Sequence, residues 1–166
     1  MFALKPISHD SVAGALAKAE RYRLLNEPGE AESICRDILE IEPGNQPALI
    51  SLILALTDQI GHDAHAFAGA LATVDRLESA YDRAYYAGIA WERRAKARNH
   101  GGGHSAHRYA YDWLVNALGL FEQAERLRAP GNDDALLRWN ACVRYLGSHK
   151  ELVPAAEEIP EPIVSE

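Results

Sequence analysis

Seven stretches of helical period follow one another from residue 12 to residue 146, each closed within a few residues by Pro, Gly, Asn or Asp. No other feature constrains the fold as much, because a 3.6-residue period followed by a short breaker leaves room only for helices joined by tight turns. Asp10 or Ser11 caps a first helix that runs to Leu25, and "NEPGE" (26–30) turns the chain with Pro28 near the next helix start. The second helix carries Ala31, Ile34, Cys35, Ile38 and Ile41 on one face, and "EPGN" (42–45) stops it. The third, Pro47 to Ile60, is apolar almost all round and is expected at the centre of the core. Further helices are expected over Ala64–Leu77, from Ser79 or Ala80 to Arg98, over His104–Leu127, and from the "APGNDD" turn (129–134) to Leu146. Ala and Leu dominate the apolar residues while Val, Ile and Thr are sparse, so strands have little support.

The 166 residues suit one domain with a real core. A net charge of −7 argues against general nucleic-acid or membrane-surface binding, since both surfaces are anionic. Cys35 and Cys142 sit among apolar residues at helical spacing, the setting of buried reduced thiols, although spacing alone does not exclude their pairing. The opening "MFALKPISHDS" has no basic segment followed by an apolar run, and the most apolar run, "ALISLILAL" (48–56), is too short to span a bilayer. A cytoplasmic protein is the expectation. Residues 148–166 hold three prolines and five glutamates with no sustained period, so we read them as a disordered acidic tail and place the domain at 1–147.

The helices also repeat. Ala19, Tyr22, Ala31, Cys35 and the closing Pro43 form one unit. Leu49, Leu52, Ile53 and Leu56, then Gly61, Ala66 and Ala70, form a second. Ala84, Ala87, Gly88 and Trp91, then Ala117, Phe121, Ala124 and Pro130, form a third; Leu136, Trp139 and Asn140 begin a fourth first helix. This pattern resembles the tetratricopeptide repeat family over residues 12–146. It departs at Lys18, where the family has Leu, and in the second unit, which lacks the closing Pro. The resemblance implies an all-α, right-handed superhelix of antiparallel helix pairs, about three repeats and a capping helix.

First helices opening at Val12, Gln46, Tyr81 and Asp133 are spaced by 34, 35 and 52 residues, so the third pair is elongated. The surplus surrounds "RRAKARNHGGGHSAHR" (93–108), expected as the tip of a projecting hairpin whose glycines close the turn. His104 and His107 are three apart and His100 lies just before the loop, which offers an alternative metal site. No Cys or acidic residue of the tip completes that set, and solvated histidines are the preferred reading; His62 and His65 form a second pair of the same kind. The loop also lacks the lysine of a nucleotide-binding glycine loop, leaving anion attraction by its arginines as the other alternative. No Gly-x-Ser-x-Gly, His-Glu-x-x-His or Cys-x-x-Cys occurs, so no enzyme and no cofactor is expected.

In such an array the first helices line the concave face, and the family resemblance assigns the groove by phase. Leu16, Glu20 and Arg23 face it from the first helix, and Ile50, Leu54 and Thr57 from the third. Tyr85, Tyr86, Ile89 and Arg93 face it from the fifth, and Leu137, Arg138, Arg144 and Tyr145 from the seventh. The Lys and Asn set with which some family members clamp a peptide carboxylate is not present. Between Tyr81 and Trp113 six Lys or Arg meet three Asp or Glu, a segment of +3 against −10 elsewhere. The expectation is a non-enzymatic scaffold whose groove binds a protein or peptide, in particular an acidic segment held by Arg and Tyr. The alternative for each of these residues is packing against a neighbouring helix or pairing with a carboxylate such as Glu92. The apolar flank of the array is compatible with self-association.

Overall fold

The structure, a computed structural model, describes residues 2–154, apart from the side chain of His104. Among these residues there are seven α-helices and no strand: α1 (Val12–Leu24), α2 (Pro28–Ile41), α3 (Gln46–Gln59), α4 (Ala66–Val74), α5 (Ala80–His100), α6 (His104–Leu127) and α7 (Asp134–Ser148). Each helix packs on the next, and α3 also touches both α1 and α5, so these three lie side by side. None of the described helices is long and apolar enough to cross a membrane.

Local chemistry sets the helix ends. Pro28 stands in the first turn of α2 and Pro47 in that of α3, where a missing N–H costs nothing. Asn45 caps α3 by accepting from the Ala48 N–H at 2.9 Å, and Ser79 caps α5 by accepting from the Asp82 N–H at 3.1 Å. Gly102 and Gly103 take φ of 69° and 91°, which lets the chain reverse between α5 and α6 in three residues.

The repeating small and apolar positions are interior. Ala19, Ala31, Cys35, Leu49, Ile53, Ala70, Ala117, Phe121 and Ala124 are fully buried, and Leu52, Leu56, Ala66 and Ala84 nearly so. Helix α3 is central as expected, with Leu49, Leu52, Ile53 and Leu56 joining α1, α2 and α4 in one cluster. A second cluster gathers Ile89, Leu114, Phe121 and Cys142 around α5 and α6. Burying the Phe121 ring completely contributes about 3 kcal/mol.

The third helix pair is elongated: 21 and 24 residues, against 14 for α3 and 9 for α4. Relative to α3, α5 extends by about 10 Å at 1.5 Å per residue. The extension is not free on both sides. Helix α7 runs beside the distal half of α5, where Arg138 reaches Glu92 and Tyr145 reaches Asn99. Elsewhere along α5 the partner helix α4 is only nine residues long, Ala66–Val74.

The domain was expected to end at residue 147. That residue falls inside α7, and beyond it Leu152 is 6% exposed in the second cluster, its N–H bonded to the His149 carbonyl at 3.0 Å. An apolar side chain that finds a gap beside α5 and α6 ties down the start of what reads as tail. Residues 155–166, where most of the tail's glutamates fall, lie outside the described residues.

Candidate functional site

The face formed by α1, α3 and α5 carries its cations in pairs. Asp58 of α3 accepts from Arg23 Nε of α1 at 2.9 Å and is also bonded by the Arg93 guanidinium of α5. Arg93 donates further to Thr57 Oγ1 at 2.8 Å. One carboxylate thus ties three helices together. Burial pushes the Arg93 pKa down, against the pull of Asp58.

A second knot joins α5 to α7. The carboxylate of Glu92 is buried, 2% exposed, and lies between Lys96 and Arg138, the latter at 3.5 Å. Burial opposes the charge on Arg138, but Glu92 and the Tyr85 hydroxyl outweigh it and raise its pKa. The Tyr145 hydroxyl accepts from Asn99 Nδ2 at 3.0 Å; its ring stacks on His149 at 3.8 Å, and the Lys96 ammonium lies 5.1 Å from its centroid.

The structure therefore redistributes the residues expected in a basic, aromatic groove. Ile89 is 1% exposed in the second core cluster and does not line an open surface. The reason is that α5 is gripped by α3, α4 and α6, with α7 alongside its distal half, so its wheel has little free arc. Tyr85 and Tyr86 are half-buried; their rings meet edge to face at 5.1 Å, and Tyr85 also stacks on Tyr81 at 5.7 Å. Burial raises the Tyr86 hydroxyl pKa to about 12. Arg93 and Arg138 are paired as described. Arg144 alone of the expected cations is exposed with no ion pair among the described residues. What remains open on this face is apolar: a hollow of about 440 Å³ between α1 and α3, lined by Glu20, Arg23, Leu24, Ile50 and Leu54.

Sequence reasoning passed over a different crevice, which opens where α5 outruns α4. Its volume is about 370 Å³, and its walls include Phe67 and Ala68 of α4, Arg94 and Arg98 of α5, and Trp113 of α6. The Arg94 guanidinium lies 4.1 Å from the Phe67 ring centroid and 4.1 Å from that of Trp113, with Trp91 at 5.4 Å. Phe67 meets Trp91 edge to face at 4.8 Å, and Tyr109 stacks on Trp113 at 5.9 Å. Two signals could have found this site: Arg94 one turn after Trp91, and a second tryptophan in the surplus length of α6.

At the hairpin tip His100 is exposed and His107 half-buried, while the His104 side chain lies outside the described ones. Among the described residues no three His, Cys, Asp or Glu side chains come together as a metal site, and His62 and His65 are exposed. Cys35 and Cys142 are free and buried, with thiol pKa values raised by that burial to about 11 and about 12.

No family model, curated protein or solved structure matches the chain.

Proposed function

We propose that this chain is a non-enzymatic scaffold of the tetratricopeptide-repeat kind, a right-handed array whose first helices hold a protein or peptide partner. The observation that carries the reading is the hollow between α1 and α3. Leu24 is 88% exposed there and Leu25 beside it 61%, while Ile50 and Leu54 are half-buried. Large apolar side chains grouped at a recess with Glu20 and Arg23 at its edge match the make-up of a peptide-binding surface. The pairing of Arg93 and Arg138 with Asp58 and Glu92 supports an amphipathic partner on this face more than a strongly acidic one. The net charge of −7 supports a protein partner over nucleic acid, and a cytoplasmic setting fits the two reduced thiols.

The test is selection of a displayed random-peptide library on the full chain. Enriched peptides are expected to lose about tenfold or more in affinity when Leu24→Asp or Ile50→Asp is introduced. Leu24 is exposed, so that variant keeps its fold, and circular dichroism checks the other. Enriched peptides indifferent to both substitutions would remove the reading.

A further inference from the structure

Four half-buried arginines, Arg23, Arg93, Arg128 and Arg138, each find an oxygen acceptor. Arg94 is the half-buried arginine that finds none among the described residues. The Phe67 and Trp113 ring centroids each lie 4.1 Å from its guanidinium carbon, so two aromatic walls confine the group. Its N–H donors have no oxygen partner among the described residues. Burial lowers its pKa, as befits a cation that has lost water and has no counter-ion beside it. A guanidinium confined between aromatic walls with its fork unused can take a carboxylate in two parallel hydrogen bonds.

Arg98, one turn further along α5, lines the same crevice and is exposed, again with no side-chain acceptor among the described residues. Asp63 lies on the rim, with its Oδ1 engaged by the His65 backbone N–H at 2.8 Å. Two cations and one anion leave the crevice one positive charge in excess. That balance fits a singly charged carboxylate; a phosphate dianion would face Asp63. The crevice is open rather than enclosed, and its apolar walls include Ile60, Phe67 and Trp113. An open recess with an apolar wall suits a side chain presented by a polypeptide better than a small molecule that must be enclosed.

We propose that this crevice is a docking site for an acidic side chain of a partner polypeptide, with the carboxylate on the Arg94 fork and an adjoining apolar residue against Trp113. Arg98 supplies the second cation. The site lies between α4, α5 and α6, apart from the hollow between α1 and α3, and does not depend on what that hollow binds.

The experiment titrates the full chain with acetyl-Phe-Glu-Phe-amide and, separately, with acetyl-Phe-Gln-Phe-amide at low salt. Nuclear magnetic resonance follows the Arg94 Nε–H and Trp113 indole N–H signals. The glutamate peptide is expected to shift both signals in a saturable way, and the glutamine peptide to bind about tenfold more weakly. Arg94→Lys keeps the charge but loses the fork and is expected to reduce the preference for glutamate to near unity. Arg98→Gln, at an exposed position where folding is not at stake, is expected to weaken the glutamate peptide several-fold and leave the glutamine peptide unchanged. Leu24→Asp is expected to change neither. Equal binding of the two peptides, or no shift of either signal at millimolar peptide, overturns the proposal. So does displacement of the glutamate peptide by a lower concentration of inorganic phosphate, which would assign the crevice to a phosphorylated ligand.

Discussion

Gly88 of α5 lies against the ring of Phe121 of α6 so closely that a Cβ on Gly88 would stand 2.6 Å from the Phe121 Cε1. Real side chains do not tolerate that distance, and the ring is fully buried, so it has nowhere to go. Helix propensity alone would favour alanine at position 88 by about 1 kcal/mol. Packing opposes it more strongly: Gly88→Ala is expected to destabilise the domain by about 1–3 kcal/mol in urea unfolding. Adding Phe121→Leu should recover part of that loss, a coupling that a double-mutant cycle reads directly.

The Glu92 knot predicts a second outcome. Glu92→Gln removes the charge that Lys96 and Arg138 share. Both cations are about a third exposed and can turn to water, so the expected cost is about 2 kcal/mol rather than that of a fully buried orphan charge. Because the knot joins α5 to α7, hydrogen exchange should rise in Asp134–Ser148 more than in α1 to α4.

Asp58 offers a different result. It is a quarter exposed, so Asp58→Asn is expected to cost only about 1 kcal/mol, and less at high salt. It also frees Arg23 and Arg93 on the face of α1, α3 and α5. Acidic peptides should then bind that face more tightly than they bind the parent chain, as a peptide titration will show. No gain would mean that these guanidinium groups are spatially shielded as well as neutralised.

Alkaline pH should unfold the chain early. Burial raises Cys35 from 9.0 to about 11, Cys142 from 9.0 to about 12, and Tyr86 from 10.0 to about 12. A folded-state pKa above the unfolded one means that the folded chain holds its proton longer. The resulting stability is complete below pH 9 and is lost as pH climbs through 11 and 12. Urea midpoints should therefore decline across that window, and replacing both cysteines with alanine should flatten the decline. In the folded chain at neutral pH both thiols should resist alkylation, since each is fully buried.

The helix order was legible because apolar period and breaker residues are local properties. Helix α6 begins at His104 and ends at Leu127, where its period and flanking turns place it. Helix α4 was expected over 64–77 and spans 66–74; its start is delayed where Asp63 Oδ1 accepts from the His65 N–H and holds the chain in a turn. That contest between a side chain and a helix start leaves no mark on periodicity. The face of Ile89 depends on how many neighbours grip α5, and the pairing of Arg93 with Asp58 spans 35 residues and two helices. Both are set by rotation of one helix about its axis relative to another, which spacing within a single helix does not encode. The Arg94 crevice was hidden for the same reason: its two ring walls, Phe67 and Trp113, come from helices on either side of α5.

The brevity of α4 has a further meaning. The recess takes shape where a nine-residue rod stands beside one of 21, and the turn before that rod, with Ile60, Gly61, Asp63 and Ala64, completes its wall. Drawing that turn into α4 would recast the wall that faces Arg94. The length of one unremarkable helix is thus the setting that holds this doorway open.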